Sequence, residues 1–307
     1  MTVSALYDVP APAKLNLFLH VVGVRADGMH LLASLMVLID WCDTLHLELR
    51  HDGRITRHDR LAELPADDLC LRAARVLQNA SGTLLGADIT IDKRVPWGAG
   101  LGGGCSDAAS TLLALNRLWQ LDWPLDRLLM LGVTLGADVP FFLAGENAVA
   151  TGTGEKLRPV RLAPAWFAVV KPEAGLATRD VFVHPGVAEI AAAARIAGFS
   201  QASSGSPALS SESGERGDTE PEFADGFGRN DLQAAAESLC PEIERAATLL
   251  DRAYGNSRMT GSGSAVFARA GDGAAPSAAM PSDWPAGWSG RMCRSLERHP
   301  LAAWVER

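Results

Sequence analysis

Residues 93–110 read KRVPWGAGLGGGCSDAAS, and five of the seven positions from Gly98 to Gly104 are glycine. No other stretch limits the fold as strongly. A run so dense in glycine is costly to order, and a helical pattern follows it at once, with Ala108, Leu112, Leu115 and Trp119 on one face. Ser106 or Asp107 stands where a cap for that helix is expected, and the pattern carries it to about Trp119. Backbone N–H groups cleared of side chains, backed by a helix N-terminus, make a cradle for anionic oxygens. The plain alternative is a turn that binds nothing.

Taken literally, Gly98-Ala99-Gly100-Leu101-Gly102-Gly103 satisfies the dinucleotide fingerprint G-x-G-x-x-G. Such a site needs the loop directly after a strand and an acidic residue about 20 positions on, at the next strand's end. Here Pro96 and Trp97 follow the strand expected over 87–92, and the candidate acid, Asp122, falls between two helical patterns. A Walker loop requires G-K-[ST], and this loop holds no lysine. A nucleoside triphosphate held by amides and a helix end is what remains.

Charge sharpens that reading. The formal net charge is −8, which argues against a nucleic-acid partner, so phosphates must be held locally. The 307 residues, 48% apolar and 21% charged, suffice for two ordinary domains or one large one. Cys42, Cys70, Cys105, Cys240 and Cys293 form no C-x-x-C pair, so neither zinc nor a disulfide framework is expected. No apolar run approaches the length of a membrane span and no signal peptide is evident; a cytoplasmic protein without a membrane partner is expected.

Strands are expected over 14–22, 31–40, 44–49 and 87–92, near 168–171, and over SAVFARA at 264–270. Helices are expected over 69–80 behind Asp67 or Asp68, over 126–135 ending at Gly136, over 187–197, and over 231–254 with a break at Pro241. The segment after Asp138 looks strand-like. Residues 200–222 read as a solvated insertion and 271–287 as loop or short helix. Without regular β-α-β alternation, the fold class is α+β.

The stretch PWGAGLGGGCSDAA resembles the P-x-x-x-G-L-G-S-S signature of the GHMP kinases, and its tripled glycine is closer to the branch acting on 4-diphosphocytidyl-2-C-methyl-D-erythritol. The resemblance implies two lobes, a ribosomal-protein-like nucleotide lobe over 1–160 and a ferredoxin-like substrate lobe over 161–307. It implies ATP and Mg²⁺, with Pro96, Gly98, Ala99, Gly100, Leu101, Gly102, Gly103, Gly104 and Ser106 around the phosphates and the metal ligands unassigned. Cys105 stands where serine is usual.

APAKLNLFLHV, at 11–21, resembles the first motif of this branch and supplies Lys14 and Asn16, two residues apart on one strand face. By itself Lys14 would read as a surface lysine. In LGADVPFFL the resemblance makes Asp138 the base for the acceptor hydroxyl, with Lys14 stabilising charge on the transferring group. TGSGSAVFA, at 260–268, resembles the third glycine motif, and Leu69 the border of an adenine pocket. RADGMH resembles the branch's R-x-D-G-[YF]-H segment, with Met29 where an aromatic is usual, and the resemblance implies His30 at the cytosine and Phe182 as the ring that stacks on the base. The implied reaction is phosphorylation of the 2-hydroxyl of the cytidyl substrate, a step of non-mevalonate isoprenoid synthesis. The alternatives are another kinase of the family, acting on homoserine, mevalonate or a sugar, or a nucleotide-binding protein without catalysis.

Overall fold

The structure is a computed structural model that describes residues 3–196 and 228–305. The insertion expected at 200–222 lies outside the described residues. The chain opens with a long antiparallel hairpin, β1 (Ala5–Val24) and β2 (His30–Arg50). The two strands expected at 31–40 and 44–49 are thus one. Its burial explains why they read differently: residues 34–39 are buried on both faces, whereas 40–48 alternate.

β3 (Ile55–Arg60), α1 (Leu69–Ser81) and β4 (Gly86–Asp92) form a crossover whose two strands pair in parallel. The Asp68 carboxylate caps α1 by accepting from Leu71 N at 3.1 Å. The glycine loop leads into α2 (Gly103–Leu118), then α3 (Leu125–Leu135), α4 (Val139–Ala144), β5 (Ala148–Gly152) and β6 (Lys156–Pro159). The strand order is β3-β4-β2-β5-β6. β1 covers one edge of β2, while β4 and β5 share the other at Thr44–Arg50 and Leu32–Met36. Helices α1 and α2 pack a first core on this sheet, around Leu38, Leu45, Leu77, Ile89 and Leu112.

β7 (Ala165–Lys171) begins a second, antiparallel sheet. After it come α5 (Thr178–Phe182), α6 (Pro185–Ile196), α7 (Gln233–Leu239), α8 (Glu242–Tyr254), β8 (Arg258–Met259), β9 (Val266–Asp272) and β10 (Ser289–Arg294). The strand order is β10-β7-β9-β8. Its helical side forms a second core around Val170, Leu232, Ile243 and Val266, which Leu19 and Val21 of β1 also enter. A third core joins the sheets: Ala13, Leu15, Leu35, Val37 and Ile39 meet Phe167, Val169 and Phe267. Phe167 and Phe267 are edge-to-face at 5.8 Å, a contact worth about 1 kcal/mol beyond area burial.

Two expectations fail here. The segment after Asp138 is a helix, because Pro140 suits a first helical turn and Gly145, at φ +66°, stops it after six residues. Helix α2 starts at Gly103 with Gly102 as its cap, so Ser106 and Asp107 lie inside it, buried and engaged elsewhere. Residues 273–288 carry no helix or strand, which settles 271–287 as mainly loop.

Candidate active site

Gly98, Gly100 and Gly102 all have positive φ, and for Gly100 space is decisive as well. A Cβ there would sit 2.2 Å from the Thr260 carbonyl oxygen, so the loop backbone rests on the third glycine segment. Ala265 N donates to Ala99 O at 3.0 Å and Lys14 N to Leu101 O at 2.9 Å, fixing the loop from both sides. Pro96 and Trp97 lead into it, and Leu101 is buried. Helix α2 begins behind the loop with no side-chain cap and no acidic residue in its first turn. Its first-turn amides are therefore uncapped by side chains of their own helix. Ser106 is turned away: its hydroxyl is buried and donates to Pro12 O at 2.7 Å, fastening α2 to β1.

Lys14 is 3% exposed, so it is no surface lysine. Its ammonium donates to Asn16 Oδ1 and lies 3.6 Å from Asp138 Oδ2. Asp138 is the N-cap residue of α4, yet its side chain makes no cap hydrogen bond and the carboxylate faces Lys14. Asn16 is held through Nδ2 to Ser34 Oγ at 2.8 Å and through its N–H to Thr260 Oγ1 at 2.9 Å. Two sequence-distant motifs, at 14–16 and 138, thus converge. Cys105 lies near both: burial and the Asp138 charge push its thiol up to about 12, so it stays protonated at neutral pH.

His30 and Phe182 also meet, with ring centroids 5.2 Å apart. Burial lowers the His30 pKa, so its imidazole is neutral near pH 7, with one ring nitrogen to donate and one to accept. Met29 is 53% exposed beside it. Phe182 closes α5, and Thr178 at its start bonds Ser262 across 2.8 Å, Oγ1 to Oγ.

One constellation escaped the sequence reading. Lys93 Nζ donates to Asp43 Oδ2 and, at 2.6 Å, to Asp107 Oδ2, all three side chains being buried. Asp43 Oδ1 also accepts from Arg94 N and Val95 N, at 2.5 and 2.7 Å. The cluster ties β2, the approach to the glycine loop, and α2 into one piece. Burial pushes the Asp107 pKa up, the ammonium opposing this and the Asp43 charge adding to it. Gly103 makes room for the cluster, since a Cβ there would lie 3.1 Å from Lys93 Nζ. Nothing in the sequence singles out these partners, which stand 50 and 14 residues apart. Beside them a cavity of about 430 Å³ is lined by Leu64, Pro65, Val95, Pro96 and Trp97, among others. Leu69 is not among those lining residues and lies instead against Gly104.

Residues 68–146 match the GHMP kinases N terminal domain, and residues 219–280 the GHMP kinases C terminal domain. The 4-diphosphocytidyl-2-C-methyl-D-erythritol kinase of Methylibium petroleiphilum is 56% identical, over 99% of this chain and all of that one. The chain belongs to the GHMP kinase family. An equally named kinase of Acidovorax sp. (strain JS42) is 51% identical over 98% of this GHMP kinase and 99% of its own length. Among solved structures, a 4-(cytidine 5'-diphospho)-2C-methyl-D-erythritol kinase superposes with a TM-score of 0.65 at 34% identity, covering 85% of this chain and 89% of that one. A mevalonate kinase reaches 0.61 at 14% identity, covering 94% and 99%, and so shares the fold. The two-lobed α+β architecture is that of the family.

Proposed function

We propose that this kinase transfers the γ-phosphoryl group of ATP to the 2-hydroxyl of 4-diphosphocytidyl-2-C-methyl-D-erythritol, in non-mevalonate isoprenoid precursor synthesis. The observation that carries the reading is the Lys14–Asp138 pair, at 3.6 Å, beside a glycine loop that opens an uncapped helix. Residues 1–160 would serve as the nucleotide lobe and 161–307 as the substrate lobe. The amides from Gly98 to Gly104 and the α2 N-terminus receive the phosphates, and the cavity beside Pro96 suits the adenine. The buried Ser106 hydroxyl leaves that residue a part in fixing the loop.

Phosphoryl transfer asks the protein for positioning and charge neutralisation more than for covalent help. Asp138, next to the acceptor, takes the hydroxyl proton, and Lys14 stabilises charge on the transferring group. Asn16, fixed by Ser34 and Thr260, keeps Lys14 aimed. Mg²⁺, when bound, would supply charge neutralisation on the phosphate oxygens. Among the described residues no group of three or more His, Cys, Asp or Glu is arranged to hold a metal. The cytosine would lie against Phe182 with the neutral His30 reading its polar edge. The full-length likeness to kinases named for this substrate supports that assignment.

ADP release measured with the cytidyl substrate, mevalonate and homoserine tests the reading. Turnover on the first alone is expected. Turnover only on another alcohol overturns the substrate, and ATP binding without turnover on any overturns catalysis.

A further inference from the structure

Lys171 ends β7, and its side chain folds back along its own chain. It is 8% exposed, and its ammonium donates to Pro172 O at 2.6 Å, Glu173 O at 2.9 Å and Ala174 O at 3.2 Å. An ammonium has three N–H donors and no acceptor, so these carbonyls use it completely. Successive backbone carbonyls converging on one point form the donor set with which proteins replace the hydration shell of a monovalent cation. Here the cation is covalently attached.

The turn that Lys171 holds reaches the phosphoryl-transfer cleft. Ala174 O also accepts from Ser264 Oγ at 2.6 Å, and Ala174 N donates to Glu242 Oε2 at 3.3 Å. A Cβ on Gly175 would lie 3.9 Å from Gly98 O, and Thr178 bonds Ser262. The segment 172–178 thus spans from α5, which carries Phe182, to both glycine segments. Without the ammonium, the three carbonyls would point at one another with nothing between them.

We propose that Lys171 is a positioning residue whose ammonium permanently occupies a monovalent-cation cage, fixing residues 172–178 against the glycine segments. It touches neither substrate in this reading; it acts through the turn. The proposal rests on the cleft being the kinase site. It requires that the wild-type protein be indifferent to added potassium or ammonium. Lys171→Ala removes the ammonium together with its alkyl arm and so empties the cage, and a free cation of similar size then restores it.

The test uses the full chain at constant ionic strength, with tetramethylammonium chloride exchanged stepwise for ammonium or potassium chloride. Tetramethylammonium is too large for the cage and has no N–H. Lys171→Ala is expected to lose roughly ten- to a hundredfold in kcat/KM for the cytidyl substrate, the scale of an ångström-sized misplacement. Ammonium or potassium should recover most of that loss, while the wild type stays flat. A variant within twofold of wild type in tetramethylammonium overturns the proposal, as does a loss that neither cation repairs. If Lys171→Ala is too unstable to assay, its Tm carries the test: a rise in ammonium or potassium over tetramethylammonium supports the cage, and none overturns it. The Tm readout also works if the wild type fails to turn over the cytidyl substrate, a result that would remove the substrate assignment alone.

Discussion

Replacing Gly100 by alanine tests whether the glycine loop is shaped by close backbone contact or merely by freedom to turn. Gly100 has φ +75° and Gly98 has φ +64°, so alanine in either place carries left-handed strain of about 1–2 kcal/mol. Space separates them. At Gly98 a Cβ meets nothing within 4 Å, whereas at Gly100 it lies 2.2 Å from the Thr260 carbonyl oxygen and 3.1 Å from Gly263 N. Both neighbours are backbone, so neither can rotate away, and ordinary contact requires the loop to retreat by about 1 Å. Overpacking of this kind adds about 1–3 kcal/mol, giving roughly 2–5 kcal/mol for Gly100→Ala against about 1–2 kcal/mol for Gly98→Ala. Urea unfolding of the two variants reads the difference directly. The same retreat moves the phosphate-binding amides, so kcat/KM for ATP should fall on the order of a hundredfold in Gly100→Ala. Equal destabilisation of the two variants would show that backbone strain alone shapes the loop, and the contact argument would fail.

Asp138→Asn should bind ATP as the wild type does while losing most of its kcat; near-normal turnover removes Asp138 as the base. Lys93→Met strands the Asp43 and Asp107 carboxylates in the interior and should cost about 3–5 kcal/mol in urea unfolding, so an unchanged midpoint would contradict the ionic tie. His299 is 2% exposed, with Nδ1 accepting from Leu301 N and, among the described residues, no partner for Nε2. Burial lowers its pKa from 6.5 to about 4. The unfolded chain then binds the extra proton first, so this contribution is whole above pH 6.5 and is lost as the pH falls toward 4. The loss reaches about 3 kcal/mol, and His299→Leu should flatten that part of the pH–stability curve; an equal slope in both proteins would refute the assignment.

The parts legible in the sequence are those where a motif dictates its own backbone. The glycine loop, the 14–16 pair and Gly136-Ala137-Asp138 carry spacing that does not depend on distant neighbours. The α4 helix is not legible because VPFFLA is too short to show a period, and Phe141 and Phe142 are both fully buried. The α2 cap is not legible because Ser and Asp are ordinary capping residues, and only the folded chain commits Ser106 to Pro12 and Asp107 to Lys93. Lys93 and Lys171 were invisible for a related reason. Each reads as a charge at a strand end, and what buries it is a partner or a turn that only the folded chain supplies.

The core shared by the two sheets bears on how the molecule comes apart. β1 sends Val9 and Ala11 into the first core, Ala13 and Leu15 into the shared one, and Leu19 and Val21 into the second. Unfolding either sheet strips apolar cover from the other, so loss of structure cannot stop at the boundary between lobes. Heating should give a single calorimetric transition whose van't Hoff and calorimetric enthalpies agree, and nucleotide should move the whole of it. A fragment cut after residue 160 would keep its loop and helix yet expose the faces of Leu35, Val37 and Ile39, making it an aggregating half rather than a small nucleotide-binding protein.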